Sequence, residues 1–206
     1  MTDIKWTQLP SDAVITKTLN SLKDNGITPI MVNTKEEAKA KLLSLIPEGS
    51  EVMDMTSVTL VEIGAVGEIH NSGKYNSVKN TLSKMNRETD GLAMQKIGAA
   101  PEYSVGSVHA VTEDGKVVVG SNSGSQLPGY AYGSPNVIWI VGAQKIVKDL
   151  DEGIERVYEY VLPLESERAK KAYGVPGSYV SKLLIINREN IKDRITMIIV
   201  KEPLGY

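Results

Sequence analysis

Asn136-Val137-Ile138-Trp139-Ile140-Val141 carries the strongest structural signal in the chain. After Asn136 no polar residue interrupts it, so neither face of a strand built from it suits water. An unbroken apolar strand of this length is the mark of burial on both faces, the usual condition in a parallel sheet. The run is far shorter than the roughly 20 residues a membrane-spanning helix needs. Gly142-Ala143-Gln144-Lys145 follows it, placing a basic residue near a strand end.

The flanking segments alternate in type. Residues 11–24 predict a helix that Ser11 can cap, with Val14, Ile15, Thr18, Leu19 and Leu22 on one face. Asn25-Gly26 ends it. Ile27–Val32 predicts a strand, and Pro29, lacking a ladder donor, favours an edge position. Thr34-Lys35-Glu36-Glu37 forms a capping box for a helix to about Ile46. Glu51–Met55 is a short strand, and Ser57 opens a helix to about Ile69. Residues 71–85 are polar and carry no decisive pattern; a helix near 87–98 follows.

Val105–Thr112 and Lys116–Gly120 flank Glu113-Asp114-Gly115, which predicts a hairpin. A short helix is expected near 124–132. Beyond the central run, Asp149 or Asp151 starts an amphipathic helix containing Ile154, Val157, Tyr158 and Val161. Pro163 is expected to kink or divide it, and Gly174 and Pro176 to end it. Lys182–Ile186 and Ile195–Val200 are two closing strands. The sum is one α/β domain over residues 1–206, with a mostly parallel sheet, helices on both faces and an inserted antiparallel hairpin.

Composition narrows the function classes. The 206 residues are 41% hydrophobic and 23% charged, enough for one core without a metal or disulfide staple. Cys is absent, which removes disulfides, thiolate metal sites, thiolate-held iron–sulfur clusters and a Cys nucleophile. With two His and no Cys, neither a metal site nor another resident cofactor is expected. The net charge of −2 argues against a dedicated nucleic-acid binder. Met1–Trp6 lacks the apolar core of a signal peptide, so a cytoplasmic location without membrane association is expected.

Ligands of open α/β sheets bind outside the carboxyl ends of the strands, which selects three loops. Asp54-Met55-Thr56-Ser57-Val58-Thr59 leaves a strand and enters a helix. The free amides and hydroxyls of this helix start attract an anion, and Asp54, Ser57 and Thr59 are candidate ligand contacts, although plain capping by Thr56 or Ser57 accounts for the same pattern. Gly120-Ser121-Asn122-Ser123-Gly124-Ser125-Gln126 offers close backbone approach and many neutral donors. Within it Gly120, Asn122, Ser123, Gly124, Ser125 and Gln126 are candidate ligand contacts. The run is neither a P-loop nor a nucleophile elbow. At the hairpin tip, Glu113 can serve as a carboxylate nucleophile or base, or simply as a turn residue. Lys145 can neutralise an anion. His109 reads as a packed or surface strand residue, and Arg168 as part of a solvated helix face.

The order of motifs resembles the LUD domain, the lactate-utilization family. The resemblance rests on Thr112-Glu113-Asp114-Gly115, the Gly120–Gln126 loop, Val137–Gly142 with Gln144-Lys145-Ile146-Val147, then Asp149-Leu150-Asp151-Glu152 and Arg156. Ser57-Val58-Thr59-Leu60 with Glu62-Ile63-Gly64, and Arg194–Val200 with Glu202-Pro203-Leu204-Gly205-Tyr206, complete it. It implies a Rossmann-like fold related to ribose-phosphate isomerases, glucosamine-phosphate deaminases and CoA transferases. It also implies a role in L-lactate oxidation to pyruvate, through a small anionic hydroxy or keto acid or through oxidoreductase partner subunits. A homo-oligomer is compatible with it. Some relatives carry a Cys-rich segment where this chain reads Tyr173-Gly174-Val175-Pro176-Gly177-Ser178-Tyr179. The family often has Asn at the place of His109, and an Asn-Arg pair near Asn122–Gln126. Glu113-Asp114-Gly115 looks like the nucleophile run of some CoA transferases, which suggests the alternative of an enzyme acting on a CoA thioester or sugar phosphate through Glu113.

Overall fold

The computed structural model describes residues 2–206. Helices α1 (Thr2–Thr7) and α2 (Asp12–Asp24) lead into strand β1 (Thr28–Val32), then α3 (Lys35–Leu45) and β2 (Glu51–Asp54). Next come α4 (Val58–Glu62), α5 (Ala65–Asn71), β3 (Asn76–Ser77), α6 (Val78–Leu82), α7 (Arg87–Ala99) and β4 (Tyr103–Gly106). The hairpin strands β5 (Ala110–Thr112) and β6 (Val117–Ser121) precede the central strand β7 (Asn136–Gly142). Then follow β8 (Ile146–Val147), α8 (Leu150–Arg156), α9 (Leu162–Tyr173), β9 (Lys182–Ile186) and β10 (Ile195–Val200).

Among the described residues the strands form two sheets. The larger has the order β1-β10-β7-β4-β2-β3, and every neighbouring pair in it is parallel. β1 is its edge strand, as Pro29 requires. β7 sits between β10 and β4 and satisfies its backbone on both sides. Its alternating side chains enter two different cores. Val137, Trp139 and Val141 join Ile15 and Leu22 of α2. Ile138 and Ile140 join Ala38 and Leu42 of α3 and Leu60, Ala65 and Ile69 of α4 and α5. Helices therefore cover both faces of the parallel sheet.

The smaller sheet, in the order β8-β5-β6-β9, is stacked on the α2 side of the larger one. Val117 and Val119 of β6 point at the Trp139 core. Val118 points the other way, into a third cluster with Trp6, Val147 and Val157. One apolar strand thus glues sheet to sheet on one face and sheet to helix on the other.

Several local expectations change. Val105–Thr112 is not one strand: it breaks at Ser107-Val108-His109, leaving β4 in the parallel sheet and β5 in the hairpin sheet. β4 pairs with β2 and β7 and β5 with β6 and β8, and the polar Ser107 and His109 lie in the segment between them. The helix from Ser57 breaks at Gly64, whose φ of 68° is left-handed, so α4 and α5 point differently. The undecided segment 71–85 supplies β3 and α6. The short helix expected near 124–132 is present over 127–133, and it widens to a π-helix at Gly129–Gly133. Pro163 does not divide its helix. A π turn at Val157–Val161 precedes it, the Leu162 amide reaches the Val157 carbonyl, and the helix continues to Tyr173. The wider turn absorbs the proline ring and its missing donor.

Gly26 shows how tightly the connections are set. It lies at φ 79°, and a Cβ there would sit 2.1 Å from the Glu189 carbonyl oxygen. Gly26→Ala is expected to cost about 2–4 kcal/mol from left-handed strain and backbone collision together. Urea denaturation checks this, with the midpoint falling and the m-value unchanged.

Candidate functional site

The chain leaves β2 toward β3 and leaves β4 toward β7, so the parallel sheet reverses its direction of winding between β2 and β4. At such a point the connections depart to opposite faces and open a crevice at the carboxyl ends of the strands. A cleft of about 600 Å³ lies there. Its walls come from the loop after β2, Ser107 and His109 after β4, the loop after β6, Lys145 after β7, and α9.

Most charged side chains in the cleft occur in closed sets. Asp54, 0% exposed at the end of β2, receives His70 Nε2 at 2.7 Å and Lys79 Nζ at 3.1 Å. Glu165 of α9 takes both Nε and Nη2 of Arg168 at 2.7 Å, and the Tyr206 hydroxyl at 2.8 Å. Burial raises the Glu165 carboxyl, but the Arg168 and Tyr206 hydrogen bonds outweigh it and hold it below its ordinary value. Both of these carboxylates are therefore committed to neighbours.

Lys145 is different. It is 1% exposed, and its Nζ donates to Thr59 Oγ1 at 3.1 Å and Ser107 Oγ at 3.0 Å. Among the described residues no carboxylate forms an ion pair with it. Burial, reinforced by the Arg156 charge and opposed by Glu62, holds the amine well below its ordinary value. The tail after β10 fixes one of its partners from behind. A Cβ at Gly205 would lie 2.3 Å from Thr59 Oγ1. Gln144 Nε2 clamps the Leu204 and Gly205 carbonyls at 2.9 and 3.2 Å.

His109 Nδ1 accepts the Gly120 amide at 3.0 Å. In the neutral ring the proton must therefore sit on Nε2, leaving a donor rather than an acceptor. Beneath it Arg156, 0% exposed, donates to the His109 carbonyl at 2.5 Å, while its Nε and Nη2 have no hydrogen-bond partner. Burial, followed by the charges of Lys145 and Arg156, pushes the His109 imidazole down to about 3, against a weak opposing pull from Glu165.

Of the residues singled out from the sequence, Asp54, Ser57, Thr59, Gly120, Asn122, Ser123, Ser125, Gln126 and Lys145 line this one cleft. Ser57 also caps α4, its Oγ accepting the Leu60 amide at 3.3 Å. Gly124 does not line the cleft; its amide bonds Ser121 Oγ at 2.9 Å and shapes the loop. Glu113 lies at the other end of β5 from His109, bonded to Lys17 Nζ at 2.8 Å, and is not among the cleft groups. The cleft also takes in Ser107, Tyr130, Glu165 and Tyr206, none of them a candidate contact from the sequence, together with His109, read there as a packed or surface residue, and Arg168, read as part of a solvated face. Arg168 pairs with Glu165 one turn away, and both line the cleft instead of a solvated face. The signal for His109 is a polar residue inside an apolar run, and for Tyr206 its place in the C-terminal motif Glu202-Pro203-Leu204-Gly205-Tyr206.

Comparison with known proteins agrees with this architecture. The LUD domain model matches residues 15–200, and the chain belongs to that family. In that sense it is a lactate-utilization-related protein. A DUF162 family protein from Deinococcus radiodurans superposes with a TM-score of 0.55 at 12% identity, covering 94% of this chain and 99% of that one. The β subunit of eIF2B from Chaetomium thermophilum matches at a TM-score of 0.38 and 16% identity, over 57% of this chain and 41% of that one. No curated protein matches the sequence. Among the described residues there is no cluster of three or more metal-ligating His, Asp or Glu, and no helix long and apolar enough to cross a membrane.

His109 gives a pH signature. Its ordinary value is 6.5 and its folded value about 3. Between these the unfolded chain holds a proton that the folded chain lacks. Stability is therefore full above pH 6.5 and falls as pH drops toward 3. The slope is at most about 1.4 kcal/mol per pH unit, tempered by the ring's partial opening to the cleft. His109→Gln, which can still accept the Gly120 amide, is expected to flatten this slope in denaturation curves taken from pH 7 to 4.5.

Proposed function

We propose that the cleft binds a small 2-hydroxy or 2-keto acid of the lactate–pyruvate class. The observation that carries this is Lys145: a buried amine at the cleft, without a carboxylate partner, surrounded by hydroxyls. A ligand carboxylate supplies the missing counter-charge. Thr59, Ser107, Ser121 and the amides of Asn122 and Gln126 suit a ligand hydroxyl or carbonyl. The cleft's charged pairs at Asp54 and Glu165 leave little room for a cationic ligand's partner. Family membership favours the same metabolite class, and an oxidoreductase subunit would be the acceptor or donor of electrons, since no redox group is built from this chain's side chains.

Because the free amine titrates low, a bound carboxylate favours its charged form and draws in a proton. Affinity for L-lactate is therefore expected to rise as pH falls through the interval between the free and bound Lys145 values.

The test is thermal stability against L-lactate, pyruvate, other small 2-hydroxy acids, sugar phosphates and CoA thioesters. A ligand at 100 times its Kd adds about 2.7 kcal/mol, which for a domain of this size shifts Tm by roughly 5–10 °C. The small hydroxy and keto acids are expected to produce the shift. Lys145→Met is expected to raise the stability of the free protein by on the order of 1–3 kcal/mol, since it removes a buried unpaired amine, and to abolish the shift. Sugar phosphates or CoA thioesters acting alone would overturn the proposal, as would no response to any acid.

A further inference from the structure

We propose that Lys145 is a covalent residue: its Nζ condenses with the keto carbon of a bound 2-keto acid to form an imine. This rests on the reading of the cleft as a keto-acid site and goes further by naming the bond made there. Three features of the structure carry it.

The first is the amine's hydrogen bonding. Lys145 Nζ has two fixed partners, Thr59 Oγ1 and Ser107 Oγ, and neither is an acid. A lysine serving only as a structural cation is normally paired with a carboxylate, as Lys79 is with Asp54 three ångströms away in the same cleft. An amine held by neutral hydroxyls keeps its lone pair available, and its low titration makes the neutral, nucleophilic form accessible. The nearby Arg156 cation acts in the same direction.

The second is His109. The Gly120 amide occupies Nδ1, so in the neutral ring the proton sits on Nε2, and His109 is part of the cleft lining. A proton donor there polarises a carbonyl for attack and then stabilises the hydroxyl of the carbinolamine. Were Nδ1 free, either tautomer would be open to the ring and this polarity would be unset.

The third is position. Lys145 follows the central strand β7, and its hydroxyl partners come from α4 and from the segment after β4. Three elements that meet only at the reversal point of the sheet hold one nitrogen. The amine is thus placed by rigid parts of the fold, not by a mobile loop.

The step balances without another reagent. The Nζ lone pair attacks the keto carbon, forming the N–C bond as the carbonyl π pair moves to oxygen. The carbinolamine then loses that oxygen with both amine hydrogens as water, breaking the C–O bond and leaving C=N. Protonated, the imine is a cation beside the ligand's own carboxylate, so the charge that has no carboxylate partner in the protein is balanced by the substrate.

The experiment is reductive trapping. The protein is incubated with pyruvate, treated with sodium cyanoborohydride, digested and mapped by mass spectrometry, and the same samples are followed by thermal shift. Expected is one adduct on Lys145, heavier by pyruvic acid less one water plus two hydrogens. L-Lactate, which has no carbonyl, is expected to give no adduct and to suppress the pyruvate one in competition. A pyruvate-dependent Tm shift with no adduct on Lys145 would overturn the imine while leaving the keto-acid site intact. An adduct spread over exposed lysines such as Lys148 and Lys201, at yields equal to Lys145, would also overturn it. Neither shift nor adduct would overturn the site itself.

Discussion

The structure depends on one constraint: β7 is apolar along both faces and must be covered twice. Its backbone is satisfied by β4 and β10, so its side chains are what remain to be buried. Trp139, fully buried, reaches toward α2 and the hairpin sheet; Ile138 and Ile140 reach toward α3, α4 and α5. Neither cover is optional. Exposing one face would return roughly 1.5–3 kcal/mol of transfer free energy for each large side chain uncovered. Chain connections that place helices on both faces of a parallel sheet must leave from its strand ends in opposite directions somewhere. The cleft is the geometric consequence, and Lys145, His109 and their hydroxyl neighbours sit where the two covers part.

Within that cleft the electrostatics is arranged by subtraction. Asp54 and Glu165 are the acids one would first suspect of proton transfer, yet each is tied by several short bonds to cations or a hydroxyl. What remains unsatisfied is cationic or basic: Lys145 without an acid, and Arg156 with two orphan nitrogens. His109 stays neutral, chiefly because of its burial and then because of the nearby Lys145 and Arg156. The resulting site has an amine, a ring N–H and a field of hydroxyls, and it lacks one negative charge.

Much of this was legible in the sequence, for identifiable reasons. β7 was readable because burial on both faces leaves no alternation to interpret. Pro29 marked the edge strand because a missing donor has few places to hide. The cleft loops after β2, β6 and β7 followed from the strand-end rule once the strands were placed. The break at Ser107–His109 was not legible, because Ser107 and His109 alternate with Val108 and Ala110 as the residues of a half-buried strand also do, and the change of sheet is set by pairing partners far away in the chain. Pro163 gave the place of an irregularity but not its kind, because a π turn is a tertiary accommodation that no local pattern announces. The roles of Glu165, Arg168 and Tyr206 depend on a helix and a tail meeting across the cleft, and sequence spacing carries no information about that encounter. Lys145 was found by position, but its isolation from acids appears only when every neighbour is in place.

The strand order has a consequence for how the molecule is made. β10, late in the chain, inserts between β1, among the first elements to form, and β7. During synthesis β1 therefore emerges with no partner on either side and must wait for most of the domain to be translated before its ladder can close. Pro29 then has a second use. In a nascent chain with an open edge it removes one donor from the template that a neighbouring chain would extend. The sheet cannot be completed vectorially, and the cleft, whose Thr59 and Gln144 are locked by the tail beyond β10, is among the last parts of the protein to exist.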